Sequence, residues 1–206
     1  MNTKKKIIEE ALILFSEKGY SDVYVNDIAK AVGIKAPSLY KHFKNKQEIF
    51  NAILEELKEN YTEHAAAIGI DGNNTNRDAG IYDDMSEEVL IEAGENLFLY
   101  FLHDKHMKLF RKLLTIEQFR DSELADLYTK QYFDGPLSYQ GELFRIFIAK
   151  GKFKQADAGI LALQFYAPIY TLLTVCDRQP DREQEALKLI AAHIRQFNVN
   201  YSEGIQ

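Results

Sequence analysis

The sequence predicts an all-α protein: a small N-terminal three-helix module followed by a larger helical body. Apolar residues recur at helical spacing in segment after segment, with no strand-like alternation and no repeat. Four prolines, no tryptophan, and 13 Phe with 12 Tyr suit helices packed through aromatic rings. The stretch 25–46 reads as two short helices around a tight turn, a pattern that belongs to helical modules.

The first helix is expected over 3–18, with Ile7, Ala11, Leu14 and Phe15 inward and Gly19 ending it. Lys4, Lys5 and Lys6 stand at the wrong end for the helix dipole, which fits either a phosphate contact or a merely solvated terminus. Ile28, Ala29 and Val32 stripe the second helix, and Gly33 follows where a left-handed residue ends a helix without a Cβ penalty. Ile34 plugs the corner, and Leu39 with Phe43 forms the inner face of the third helix. Pro37 is acceptable there because the first turn has no intrahelical bond to lose.

This is a helix-turn-helix pattern, whose second helix enters the DNA major groove. An ordinary helical hairpin is the alternative. Against it, the outward positions Lys35, Ser38, Tyr40, Lys41 and His42 are donors suited to phosphates and base edges, and Lys44 and Lys46 extend the edge. Tyr40, His42 and Lys46 are expected on phosphates, with Lys35, Ala36, Pro37 and Ser38 facing bases.

Residues 7–54 resemble the DNA-binding module of the TetR family of bacterial regulators. Ala11, Phe15, Gly19, Tyr20, Ile28, Ala29, Gly33, Leu39, Tyr40, His42, Phe43, Lys46 and Ile49 carry the match, and SLYKHFKNK contains the family's LYxHFxxK signature. The resemblance implies a homodimeric, ligand-responsive repressor made of helices, binding a double-stranded operator and released by a small-molecule effector. It covers the first quarter of the chain well. Where the family has Thr or Ser before its second helix, this chain has Val23 and Tyr24, so the cap is absent or comes from Ser21 or Asp22. The family often has Ser at the position of Lys35 and a basic residue at that of Ala36, so base readout does not carry over.

The charge is distributed to match. Residues 1–50 hold nine Lys and six Asp or Glu, a net of 9 − 6 = +3, and the remainder carries 16 − 25 = −9. One end therefore attracts phosphate while the rest repels it. The single cysteine, Cys176, excludes an internal disulfide and suits a reducing cytoplasm. Charged residues interrupt the opening before a signal peptide could form.

The proposed division is a DNA-binding domain at 1–47 and a ligand-binding and dimerisation domain at 48–206, with a fourth helix (about 46–64) as connector. Asn45 is its expected N-cap, with Glu48 completing a capping box. Residues 68–84 turn polar and Gly-rich (GIDGNNTNRDAG) and read as a loop. Helices are then expected from Asp84 to near His103, over 109–119, over 124–150 with a kink at Gly135-Pro136, from an Asp157 cap to Cys176, and from Pro180 to Val199.

Residues 158–176 carry no charge and are long enough to span a membrane. Gln164, Pro168, Thr171 and Thr174 favour instead a helix buried on all sides, one facing the core and another a second subunit. With the last helix it would form an intermolecular four-helix bundle, or simply close a monomeric core. Gln164 and Thr171 either bond within the core or line a pocket for a mainly apolar effector, with Phe101, Phe119, Tyr132 and Phe165 as the aromatic candidates. His103 and His106 are too few for a closed metal site, and helix-end hydrogen bonds suit them better. No catalytic set, phosphate loop or cofactor fingerprint is present, so neither an enzyme nor a cofactor is expected. The competing class is a helical ligand-binding or metal-sensing protein without operator binding.

Overall fold

The computed structural model describes residues 2–67, 70–72 and 74–203. Helices make up the fold: α1 Thr3–Lys18, α2 Val25–Val32, α3 Ala36–Leu39, α4 Lys46–Ala67, α5 Thr75–Asp83, α6 Glu87–His103, α7 Lys105–Glu117, α8 Ser122–Thr129, a π-helical segment Lys130–Asp134, α9 Gly135–Ala149, α10 Ala158–Arg178, a short 3₁₀ turn Pro180–Arg182 and α11 Glu183–Tyr201. They form two compact units, Met1–Tyr61 with Lys105–Tyr128, and Thr62–Asp104 with Thr129–Gln206.

In the first unit, Ile7, Ala11 and Phe15 of α1 are buried as the spacing predicts, together with Ile28, Leu39, Ile49, Ile53 and, from α7, Phe110, Leu113 and Leu114. Leu14 is only half-buried, and Leu12 takes the inner place. An aromatic chain runs Phe15–Tyr20–Phe50, with 5.1 Å between successive ring centres, and continues to Phe110 at 6.4 Å. Asn45 caps α4 as expected, its side chain accepting the Glu48 N–H at 2.9 Å, but the Glu48 carboxylate reaches one residue past it and accepts the Lys44 N–H at 2.7 Å. Asp121 caps α8 by accepting from the Glu123 and Leu124 amides, which is why the chain breaks after α7.

The second unit corrects the loop expected at 68–84. Asn74 caps α5 by accepting the Arg77 N–H at 3.2 Å. Asp78, fully buried, accepts the Asp71 and Gly72 amides at 2.8 and 2.9 Å and the Tyr139 hydroxyl of α9 at 2.7 Å. A composition that reads as loop is thus folded around one carboxylate. Ser86 caps α6, which starts a little later than the expected helix from Asp84.

The kink expected at Gly135-Pro136 is a π-turn before it. The Gly135 N–H donates to the Lys130 carbonyl five residues back. Pro136 has no N–H to give the Tyr132 carbonyl, which accepts the Tyr166 hydroxyl of α10 at 2.8 Å. A second proline, Pro168 inside α10, has a similar accompaniment: His193 Nε2 of α11 donates to the neighbouring Phe165 carbonyl at 2.8 Å. Phe144, Phe153, Phe165, Phe197 and Tyr201 pack as a second aromatic cluster. The α9–α10 connection is tied to the end of α11 by an isolated antiparallel bridge, Phe153 to Ser202.

Candidate nucleic-acid interface and effector body

The α2–α3 corner is built as a helix-turn-helix. Gly33 takes φ 80°, and the Ile34 N–H returns to the Ala29 carbonyl at 2.9 Å. Ala29, Leu39 and Phe43 are buried, so the corner is closed from within. Of the two alternatives for the α2 cap, the first holds: neither Ser21 nor Asp22 supplies it, and the Asp27 carboxylate instead accepts the Tyr24 N–H at 2.9 Å.

The third helix is shorter than its apolar spacing implied, a single regular turn at Ala36–Leu39. Beyond it the chain continues in turns, with the His42 and Phe43 amides both bonded to the Leu39 carbonyl. Lys35 is its N-cap residue and is exposed, as are Pro37, Tyr40, Lys41, His42 and Lys44; Ala36 and Ser38 are half-buried. These are the side chains that the sequence places on the DNA-facing edge.

Lys46 does not join that edge. Its ammonium donates to the Tyr20 carbonyl at 2.7 Å and lies 4.3 Å from the centre of the Tyr20 ring. Burial lowers its pKa, opposed by the charges of Asp22 and Glu117. The ammonium expected on a phosphate thus has an internal partner. Lys6 is also internal, donating to the Val32 carbonyl at 2.9 Å and so capping α2, a use neither reading of the N-terminal lysines foresaw. Tyr24, 69% exposed at the start of α2, was overlooked as a candidate contact. So was Glu117, although its place seven residues after Phe110 put a carboxylate on an apolar stripe.

Of the effector candidates, Tyr132 is buried in the second unit and stacks on Tyr170 at 5.8 Å. Phe101 and Phe165 are half-buried and pack against the core formed by α6, α10 and α11. Two candidates are corrected. Phe119 belongs to the first unit and is 90% exposed, because α7 ends before it. Gln164 is exposed and accepts the Tyr201 hydroxyl at 2.6 Å, so it is neither a core residue nor a pocket residue. Thr171 is likewise exposed, its hydroxyl bonded to the Ala167 carbonyl.

His103 and His106 fall on different helices. His103 pairs with Glu183 at 2.9 Å, while His106 lies against Ile8, Leu12 and Leu57. Cys176 is buried, and burial pushes its thiol pKa up, which leaves it inert.

The α10 helix is apolar enough to cross a membrane by length and composition, with mean hydropathy 1.5. It is not buried on all sides: Ile160 and Leu163 are 52% and 49% exposed, and Leu189 and Val199 of α11 are 45% and 69% exposed. Between the two helices lies an open groove of about 510 Å³ lined by Pro168, Thr171, Leu172, Leu189, Ile190 and His193.

A closed helix-turn-helix followed by an all-helical body is the class of fold found here, and the helix-turn-helix is of the kind that docks on DNA. Residues 7–53 match the family described as bacterial regulatory proteins, tetR family. A biofilm-operon negative transcriptional regulator, IcaR of Staphylococcus epidermidis, is 52% identical over 52 residues, which is 25% of this chain and 28% of that one. The chain thus matches about a quarter of the length of its curated relatives. A TetR-family structure from Mesorhizobium loti superposes with TM-score 0.68 over 98% of this chain and 97% of that one, at 17% identity. SmeT, the repressor of the Stenotrophomonas maltophilia multidrug efflux pump SmeDEF, superposes at 0.65 over 100% and 93%, at 19% identity. Its triclosan complex gives 0.66 over 98% and 93%, at 20% identity. Residues 7–53 thus carry the N-terminal domain of the tetR family, and the chain as a whole has the fold of TetR-family structures.

Proposed function

We propose that this protein is a cytoplasmic repressor that binds a pseudo-palindromic operator as a homodimer and is released by a small, mainly apolar molecule. The observation that carries the reading is the edge formed by Lys35, Tyr40, Lys41, His42 and Lys44, exposed on a corner whose interior is fully packed. Residues 1–47 would read DNA and 48–206 would bind effector and partner, with 46–64 connecting them. The names of the relatives, a negative regulator and an efflux-pump repressor, support repression.

The exposed apolar residues of α10 and α11 support the dimer, because water-facing Ile and Leu on two adjacent helices call for a partner surface. Two recognition helices also suit a symmetric operator. SmeT's triclosan complex supports an effector of apolar, aromatic character, for which Phe101, Tyr132 and Phe165 are suitable neighbours. Weakening operator binding a hundredfold requires a coupling of about 2.7 kcal/mol.

A gel shift against the DNA upstream of its own gene, repeated across salt concentrations, tests the reading. Binding that falls steeply with salt is expected. No preference for that DNA over an unrelated duplex would instead favour a ligand-binding protein without an operator. Mass spectrometry of protein purified from its host checks for the retained effector.

A further inference from the structure

Glu117 ends α7 on the same face as Phe110, Leu113 and Leu114, and it is 1% exposed. Its Oε1 accepts the Tyr20 backbone N–H at 3.0 Å. Its Oε2 is equally shut in and has no hydrogen-bond partner among the described residues. The neighbouring glycine is required for this approach: a Cβ on Gly19 would stand 2.2 Å from Oε1, and Gly19 holds φ 91°. From the other side, the Lys46 ammonium takes the Tyr20 carbonyl at 2.7 Å. Both polar groups of one backbone residue are thus held by opposite charges, one from α7 and one from α4.

A carboxylate with one buried oxygen unpaired works against stability, and an apolar residue would serve the core better. Its place at the joint between α1 and the helix-turn-helix gives it another use. We propose that Glu117 is a positioning residue for operator recognition. Together with Lys46 it fixes the angle at which α1 leads into the recognition module, and hence the separation of the two modules in the dimer. The inference rests on the operator-binding dimer proposed above. The bond to Tyr20 closes a packed joint, and packed joints convert small shifts into discrete reorientations.

The test measures affinity for a full operator and for a duplex bearing one half-site, using full-length wild type, Glu117→Ala, Glu117→Gln and Lys46→Met. Glu117→Ala should lose about tenfold or more on the full operator and keep its half-site affinity. Glu117→Gln, which preserves the acceptor, should recover most of the loss. Lys46→Met approaches the same joint from α4 and should reproduce the selective loss even if Glu117→Ala fails to fold. Equal losses on both duplexes, or none, would reduce Glu117 to a core residue and overturn the inference, as would Glu117→Gln behaving like Glu117→Ala. A wild type that prefers no operator overturns the functional reading itself, and this inference with it.

Discussion

Lys46 and Tyr20 are joined twice, by a hydrogen bond from the ammonium to the carbonyl and by the ammonium lying over the ring. A lysine in that position is part of the scaffold. Lys46→Ala should therefore leave the salt dependence of DNA binding nearly unchanged, whereas Lys41→Ala and Lys44→Ala should each reduce its slope by about one phosphate's worth. Gel shifts across a salt series separate them. A slope reduced as much by Lys46→Ala as by Lys44→Ala would show that the ammonium leaves Tyr20 when DNA binds.

Lys35 stands at the start of α3, ahead of the regular turn that the proposed function places in the major groove. Lys35→Ala should change sequence preference more than overall affinity, shifting discrimination at one base pair by about 1–3 kcal/mol. Selection from randomised duplexes measures this. A uniform loss on every sequence would place Lys35 on the backbone of the duplex.

A buried-charge substitution such as Ile190→Glu would not test the dimer, because Ile190 is fully enclosed within its own subunit. Leu189 is the informative neighbour, 45% exposed beside the α10–α11 groove. Leu189→Glu should leave helicity and thermal stability intact, yield monomers in sedimentation and abolish tight operator binding. A fully active monomer would end the dimer reading.

Asp78 organises the segment that composition assigned to a loop. Asp78→Ala leaves two amides and one hydroxyl without their acceptor and should cost on the order of 3 kcal/mol in denaturant unfolding. Burial first, then Tyr82 and the bond to Asp78, hold the Tyr139 phenol above its ordinary range. The unfolded chain therefore loses that proton first as pH rises. The Tyr139 contribution is fully present below about pH 10 and declines above it. Tyr139→Phe should be less stable at neutral pH and show a flatter alkaline limb. An unchanged alkaline limb would mean that Tyr139 ionises alike in both states.

What the sequence made legible follows from what periodicity can encode. Phe15, Ile28, Leu39 and Phe43 announced the first unit because each lies at helical spacing beside a glycine or cap that has one reading. Residues 74–83 stayed hidden because a helix organised on one buried carboxylate has a polar sequence, and hydrophobic spacing does not record hydrogen bonds. Gln164 misled for a related reason. A polar residue in an apolar helix signals either a pocket or an outer face, and only the position of Tyr201 decides. Phe119 failed on element bounds: two residues of helix fewer carried it from an inner face to solvent.

The π-turn at Lys130–Asp134 has a meaning in the arithmetic of the chain. It fits one residue more into the helical path than a regular α-helix would hold. Removing one residue there would turn α9 by about 100° relative to the start of the segment at Lys130. Tyr132 and Tyr170 would then no longer face one another, and the Tyr166 hydroxyl would lose its carbonyl. A single-codon deletion in this stretch is thus a rotation of α9 about its own axis.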